Sequence, residues 1–252
     1  MQALLTMASA LSMTVAATAP HTAPHASHAP HWSYSGEEGP EHWGTIAPEF
    51  ATCAAGKAQS PIDHAAFDAK HAIAVSTDYH PGPLTLLNNG HTVQINFAPG
   101  SMLKSKSNSY ELVQVHFHTP SEEAFNGRHY PMVAHWVHKD AAGKLAVMGV
   151  MFEEGAANAE LAKLIAHAPK TQTESHTVAG MALNPAALLP HDLHVWRYKG
   201  SLTTPPCSEG VTWHVALTPV SASKDQISAL HAIVGNNARP VQPLNGRQIL
   251  AE

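Results

Sequence analysis

His116 and His118 sit two positions apart in Leu112-Val113-Gln114-Val115-His116-Phe117-His118, and His135 follows seventeen residues later. In a β-strand, alternation sends Leu112, Gln114, His116 and His118 to one side and Val113, Val115 and Phe117 to the other. Two imidazoles on one face, one pleat apart, can converge on a single ion. His135 lies in a second strand-like run, Met132-Val133-Ala134-His135-Trp136-Val137, and the stretch between holds the hairpin pair Asn126-Gly127. A neighbouring antiparallel strand can therefore bring the third imidazole to the same point. Three neutral nitrogen ligands with one open position describe a catalytic zinc site, not a structural one. The chain holds 20 histidines, however, so pairs at this spacing also arise by chance. A buried histidine is often only a hydrogen-bonded core residue, and spacing alone leaves both readings standing.

The elements that must hold such a site are mostly strands. Short β-branched runs bounded by turn residues fall at 84–87, 92–97, 112–118, 132–138, 145–152, 194–198 and 211–217, in a chain with 16 glycines and 19 prolines. Two helices are expected. Residues 157–168 place Leu161, Leu164 and Ile165 on one face. Residues 224–234 follow the capping pattern Ser223-x-x-Gln226, space Ile227, Leu230 and Val234 helically, and stop at Gly235. From Trp32 onward there is no repeat, second linker or composition break, which argues for one domain over 32–252 within a chain of 252 residues.

Ahead of that domain, residues 1–19 are apolar and small, ending in Ala17-Thr18-Ala19 like a signal-peptidase site. No Lys or Arg precedes the stretch, and Pro20 is a poor cleavage neighbour, so a cut after Ala16 or Ala17 is an alternative. Thr and Ser interrupt the segment, which makes it too weak for a membrane span. Residues 20–31 repeat His, Pro and Ala, a composition that cannot build a core. They read as a disordered spacer, or as a loose metal-binding tract. Cys53 and Cys207 are the only cysteines and form no C-x-x-C pattern. In an exported chain they read as one disulfide, worth roughly 4–5 kcal/mol by loop closure; the alternative is two buried thiols. A net charge of −5, 13% charged residues and no basic run offer no nucleic-acid surface.

A catalytic zinc polarises water, and the hydroxide it provides needs its hydrogen aimed away from the incoming electrophile. A threonine can accept that hydrogen if its own proton is committed to a carboxylate. Thr203 and Glu122 are candidates, although each is equally an ordinary turn residue. The wider sequence decides between these readings. In order, it contains Trp32-Ser33-Tyr34, Gly39-Pro40-Glu41-His42-Trp43, Gln59-Ser60-Pro61-Ile62, Asn88-Asn89-Gly90-His91, Gln114 to His118, Ser121-Glu122, Ala134-His135, Gly200 to Pro206, and Arg239 to Leu244. With these motifs the chain resembles the α-class carbonic anhydrases from about Trp32 to Gln248.

The resemblance implies a single mostly β domain, with peripheral helices around a central, mostly antiparallel twisted sheet of about ten strands. It also implies cis bonds before Pro61 and Pro206 and a bridge between Cys53 and Cys207. The implied cofactor is Zn2+ on His116, His118 and His135. Thr203 matches the gatekeeper that orients the attacking hydroxide, its proton held by Glu122, and His91 matches the proton shuttle. Tyr34, Asn89 and Gln94 match residues that order the connecting waters, with Gln94 where the family often has asparagine; Gln114 borders the metal. Val137, Val147, Leu202 and Trp213 match the apolar wall that receives carbon dioxide, and Thr204 lines the polar side. The activity implied is reversible hydration of carbon dioxide to bicarbonate and a proton, with weak ester hydrolysis as a side reaction. Export implies a periplasmic or secreted enzyme, monomer or homodimer, acting on a small molecule without nucleic acid or membrane. A noncatalytic binding protein and a zinc carrier remain as the other readings.

One departure concerns how the third histidine is held. The family places a glutamate two residues before it, to accept the outer N–H of its ring; here that position is Val133. The residue after Glu122, typically histidine in the family, is Glu123. Glu123 is therefore expected to accept from His135 in place of the missing carboxylate. A water acceptor, or none, are the alternatives.

Overall fold

The computed structural model describes residues 30–64, 68–106 and 108–248. The leader 1–19 and nearly all of the spacer 20–31 lie outside the described residues. The strands are β1 Ile73–Ala74, β2 Ser76–Asp78, β3 Gly82–Asn88, β4 Val93–Asn96, β5 Met102–Ser105, β6 Asn108–His118, β7 Ala124–Phe125, β8 Arg128–His129, β9 Met132–Lys139, β10 Leu145–Glu154, β11 Thr173–Leu183, β12 His194–Ser201, β13 Glu209–Ala216 and β14 Val220–Ala222. All but β7 and β8 join one 12-stranded sheet, whose main path runs β1-β12-β13-β10-β9-β6-β4-β3-β11. Its pairings are antiparallel except β10 with β13 and β10 with β14. The sheet is thus mixed, and each expected strand segment is present.

Alternation along β6, β9 and β10 builds two cores. Val115, Phe117, Ala134, Trp136, Met148 and Val150 pack on one face with Leu161, Leu164 and Leu230 from the helices. Val133, Val147, Tyr198, Trp213 and Val215 pack with Ile62 on the other. Each fully buried side chain of this size contributes about 1.5–3 kcal/mol. The helices α1 Trp43–Ile46 and α2 Thr52–Ala55 flank the N-terminal side, while α3 Ala159–His167 and α4 Lys224–Val234 pack against each other over the first core. Asn158 caps α3. Ser223 and Gln226 form the reciprocal capping box of α4, which ends at Gly235 with φ 65°.

Three expectations change. Leu112 does not share the face of His116: a bulge shifts the β6–β9 register between Leu112 and Gln114, and Leu112 packs in the first core with Val115 and Phe117. Asn126-Gly127 does form a hairpin turn, with φ 53° and 73°, but it joins the small β7–β8 ribbon rather than β6 directly to β9. Among the described residues three X–Pro bonds are cis: those before Pro61 and Pro206, as expected, and also the one before Pro120. Cys53 and Cys207 are bonded, closing a separation of 154 residues. Nearby, the buried Arg239 guanidinium donates to Gln59 Oε1, Ser60 O and Cys53 O at 2.8–3.0 Å, tying the C-terminal segment to the N-terminal one.

Candidate metal centre

The pairing of β6 with β9 sets His116 directly opposite His135 and His118 opposite Val133. One potential ligand nitrogen from each of His116, His118 and His135 lies within 4.8 Å of the other two. The opposite nitrogen of each ring is occupied. His116 Nδ1 donates to Gln114 Oε1 at 2.8 Å, His118 Nδ1 to the carbonyl of Asn237 at 2.7 Å, and His135 Nε2 to Glu123 Oε1 at 3.0 Å. These bonds select the tautomers and aim His116 Nε2, His118 Nε2 and His135 Nδ1 inward as lone pairs.

Burial makes the three rings poor bases. His118 is held at about 4, against the opposing pull of the Asn237 carbonyl and Glu123, and His116 and His135 stand well below the usual histidine value, with neighbouring imidazoles lowering those two further. They therefore offer neutral nitrogens at neutral pH. Beneath them, Glu122 and Glu123 are fully buried. Burial raises Glu122 to about 8, opposed by the Thr203 hydroxyl and the backbone N–H of Arg239, which donates to Oε1 at 2.8 Å. Glu122 Oε2 lies 3.7 Å from His118 Nε2 and 3.8 Å from His135 Nδ1, without a hydrogen-bond partner.

A divalent cation fits this group. His118 Nε2 is buried without a partner, as are Glu122 Oε2 and Glu123 Oε2, and isolated buried polar atoms are costly. A dication among the three lone pairs would give His118 Nε2 a partner and offset the charge of Glu122, whose Oε2 lies near two of the inward nitrogens. The donor set, three imidazoles without a protein fourth ligand, suits zinc with an open position.

The expected acceptor for His135 is therefore present, on the loop after β6 rather than on β9. Val133 fills its place in the second core. Room for the carboxylate comes from Gly149, paired with His135 across β9–β10. A Cβ there would stand 3.1 Å from Glu123 Oε1 and 3.7 Å from His135 Cδ2. Sequence patterns did not point to Gly149, although a lone glycine within a strand marks close approach. They also missed Asn237, because a backbone carbonyl carries no side-chain signature. Its side chain braces the same corner, accepting from Thr119 N and donating to His91 O and Phe117 O.

The remaining expected residues gather around the trio. A cavity of about 140 Å³ is lined by Tyr34, Asn89, His91, Gln94, Gln114 and Thr204 together with His116 and His118. The His91 ring stacks on Trp32, centroids 3.7 Å apart and planes 7° from parallel. Burial, then the neighbouring His31, lowers its pKa. Asn89 Oδ1 accepts from the backbone of His91 and Thr92, both at 2.9 Å, and so shapes the turn that carries His91. Val137, Val147, Leu202 and Trp213 lie together in the second core, with the Trp213 ring 5.0 Å from His135. Thr203 is buried.

Known proteins are similar to this chain in sequence and fold. A family model described as eukaryotic-type carbonic anhydrase matches residues 38–252. A carbonic anhydrase of Klebsiella pneumoniae is 47% identical over 226 residues, spanning 88% of this chain and 91% of that protein. An α-carbonic anhydrase from Thermovibrio ammonificans, solved with the inhibitor sulfanilamide, is 41% identical with TM-score 0.82, covering 88% of this chain and 99% of that one. The α-carbonic anhydrase of Photobacterium profundum is 47% identical with TM-score 0.80, covering 87% and 99%.

Proposed function

The chain belongs to the eukaryotic-type, or α-class, carbonic anhydrase family and is a lyase; from that premise we propose that it hydrates carbon dioxide reversibly with zinc held by His116, His118 and His135. The observation that carries the reading is the convergence of three neutral nitrogens within 4.8 Å, each ring fixed by an acceptor on its far side. Bound zinc supplies Lewis acidity, which makes a water molecule nucleophilic near neutral pH.

The chain's own residues do the rest. Gln114, Asn237 and Glu123 hold the imidazoles in the ligating tautomer. Thr203, with its proton toward Glu122, accepts the nucleophile's hydrogen and leaves its lone pair facing the substrate. Val137, Val147, Leu202 and Trp213 exclude water and receive apolar carbon dioxide, which needs no hydrogen bond. His91 takes the product proton on a ring nitrogen and passes it to buffer, a task suited to a half-buried histidine. Tyr34, Gln94 and Thr204 supply polar atoms along that route, and Asn89 positions it. The Cys53–Cys207 disulfide supports an oxidising compartment, periplasmic or extracellular, in keeping with the proposed leader.

Stopped-flow carbon dioxide hydration, before and after chelation and again after zinc is restored, tests the reading. Activity that disappears with the metal and returns with it is expected. A zinc-loaded protein without hydration activity would favour a noncatalytic binding role.

A further inference from the structure

The opposite face of the same strands carries a second cavity, of about 200 Å³, that the metal centre does not use. It is lined by Tyr110, Asp140, Lys144, Arg197, Lys199 and Thr212, among others. Strand alternation explains its place: Trp196 and Tyr198 face the His64 and Trp213 side, so Arg197 and Lys199 on β12 face away. Thr212 and His214 pair with Lys199 and Arg197 across β12–β13.

Its charges do not balance. Three cations, Lys144, Arg197 and Lys199, meet one carboxylate, Asp140, leaving a net charge of +2. Asp140 is not a free counterion, because its Oδ1 accepts from the backbone of Ala142 and Lys144 at 2.9 and 2.8 Å. Among the described residues, Lys199 Nζ donates only to the neutral Thr212 hydroxyl, at 2.6 Å. Arg197 makes no hydrogen bond or ion pair with any described residue, and its Nε is buried. Beside it, fully buried His214 keeps both ring nitrogens unpartnered. Burial, together with Arg197 and Lys144, lowers the Lys199 pKa, so these cations repel one another. A half-buried guanidinium with no acceptor is costly, and the usual remedy is a bound anion.

We propose that this cavity is an anion site for a small doubly charged oxyanion of the phosphate class. The planar fork of Arg197 would take two oxygens, Lys144 and Lys199 would supply point charges, and the Tyr110 and Thr212 hydroxyls would complete the shell. A dianion cancels the net charge of +2, and the volume admits a free oxyanion with a few waters. The inference is independent of the metal reading, because it uses none of the residues of the metal centre.

Inorganic phosphate is titrated at low ionic strength into chelator-stripped protein, with calorimetry and melting temperature as readouts and chloride at matched ionic strength as control. Saturable binding with a rise in melting temperature that chloride does not reproduce is expected. Binding should weaken at least tenfold in Arg197→Gln/Lys199→Gln, and by less in Arg197→Lys, which keeps the charge but loses the fork. Carbon dioxide hydration by the double variant should be unchanged. Absence of saturable binding, an equal response to chloride, or undiminished binding in the double variant would overturn the proposal. So would binding that appears only when the metal centre is loaded. If the double variant misfolds, unaltered phosphate binding by Arg197→Lys has the same force.

Discussion

Two groups of buried histidines lie back to back on the same sheet, and among the described residues only one has the geometry that could hold a metal. His135 and His138 are three residues apart on β9 and so face opposite sides. On one side, His116, His118 and His135 each give their outer nitrogen to an acceptor and turn the inner one to a common point. On the other side, His138 Nε2 meets the Tyr79 hydroxyl at 2.6 Å, its Nδ1 has no partner, and His214 has none on either nitrogen. Burial suppresses basicity in both groups: His118 stands at about 4, His138 and His214 at about 3. Burial and lowered pKa therefore do not make a ligand. Acceptors that fix three rings toward one point do.

Removing a ligand tests this difference most severely. His116→Ala should abolish stoichiometric zinc retention and bring hydration to background, whereas His138→Leu should leave both unchanged; zinc analysis and stopped-flow rates separate them. Next in size is Thr203→Ala, expected to lower turnover by about 10²-fold, as for loss of one preorganised group, with zinc content unaltered. Glu123→Ala should then loosen zinc by about 10–100-fold, read as faster loss to a chelator, and Glu123→Gln, which keeps an acceptor oxygen, should fall between. Gly149→Ala should act in the same direction by crowding the Glu123 carboxylate. Unchanged zinc loss in Glu123→Ala would mean that the His135 ring is held by its strand alone.

The smallest effect on zinc and turnover belongs to the other face, whose histidines act on acid stability instead. His138 and His214 have folded pKa values near 3, below the ordinary value near 6.5 that they regain on unfolding. The unfolded chain thus binds their protons first as pH falls. Their contribution is intact above about pH 6.5 and drains as pH drops toward 3, at about 1.4 kcal/mol per pH unit for each ring. Urea unfolding at a series of pH values should show a shallower acid limb in His214→Leu than in the parent. Equal slopes would show that His214 is not held neutral.

Much of the site was legible because strand alternation, caps and ordered motifs are written in side chains. The trio and the α4 capping box follow from such patterns, and the apolar wall of Val137, Val147, Leu202 and Trp213 from the family resemblance that the motifs carry. What escaped is written in the backbone or depends on tertiary context. The bulge that turns Leu112 away from His116 adds one residue to β6 without changing the pattern around it. Strand β11 is exposed on both faces for most of its length, so it lacks the period-two alternation that marks a strand. Asn237 acts on His118 through its carbonyl, and Gly149 acts by having no side chain. Whether Glu123 stands in for the carboxylate missing at Val133 was legible as a question, and the fold supplies its hydrogen bond to His135.

The most direct test follows individual imidazole nitrogens by long-range proton–nitrogen correlation while zinc is titrated into metal-free protein. One equivalent should shift His116 Nε2, His118 Nε2 and His135 Nδ1, leave His135 Nε2 protonated toward Glu123, and leave His138 and His214 unmoved. Zinc-dependent shifts at His138 or His214, or coordination through His135 Nε2, would contradict the account.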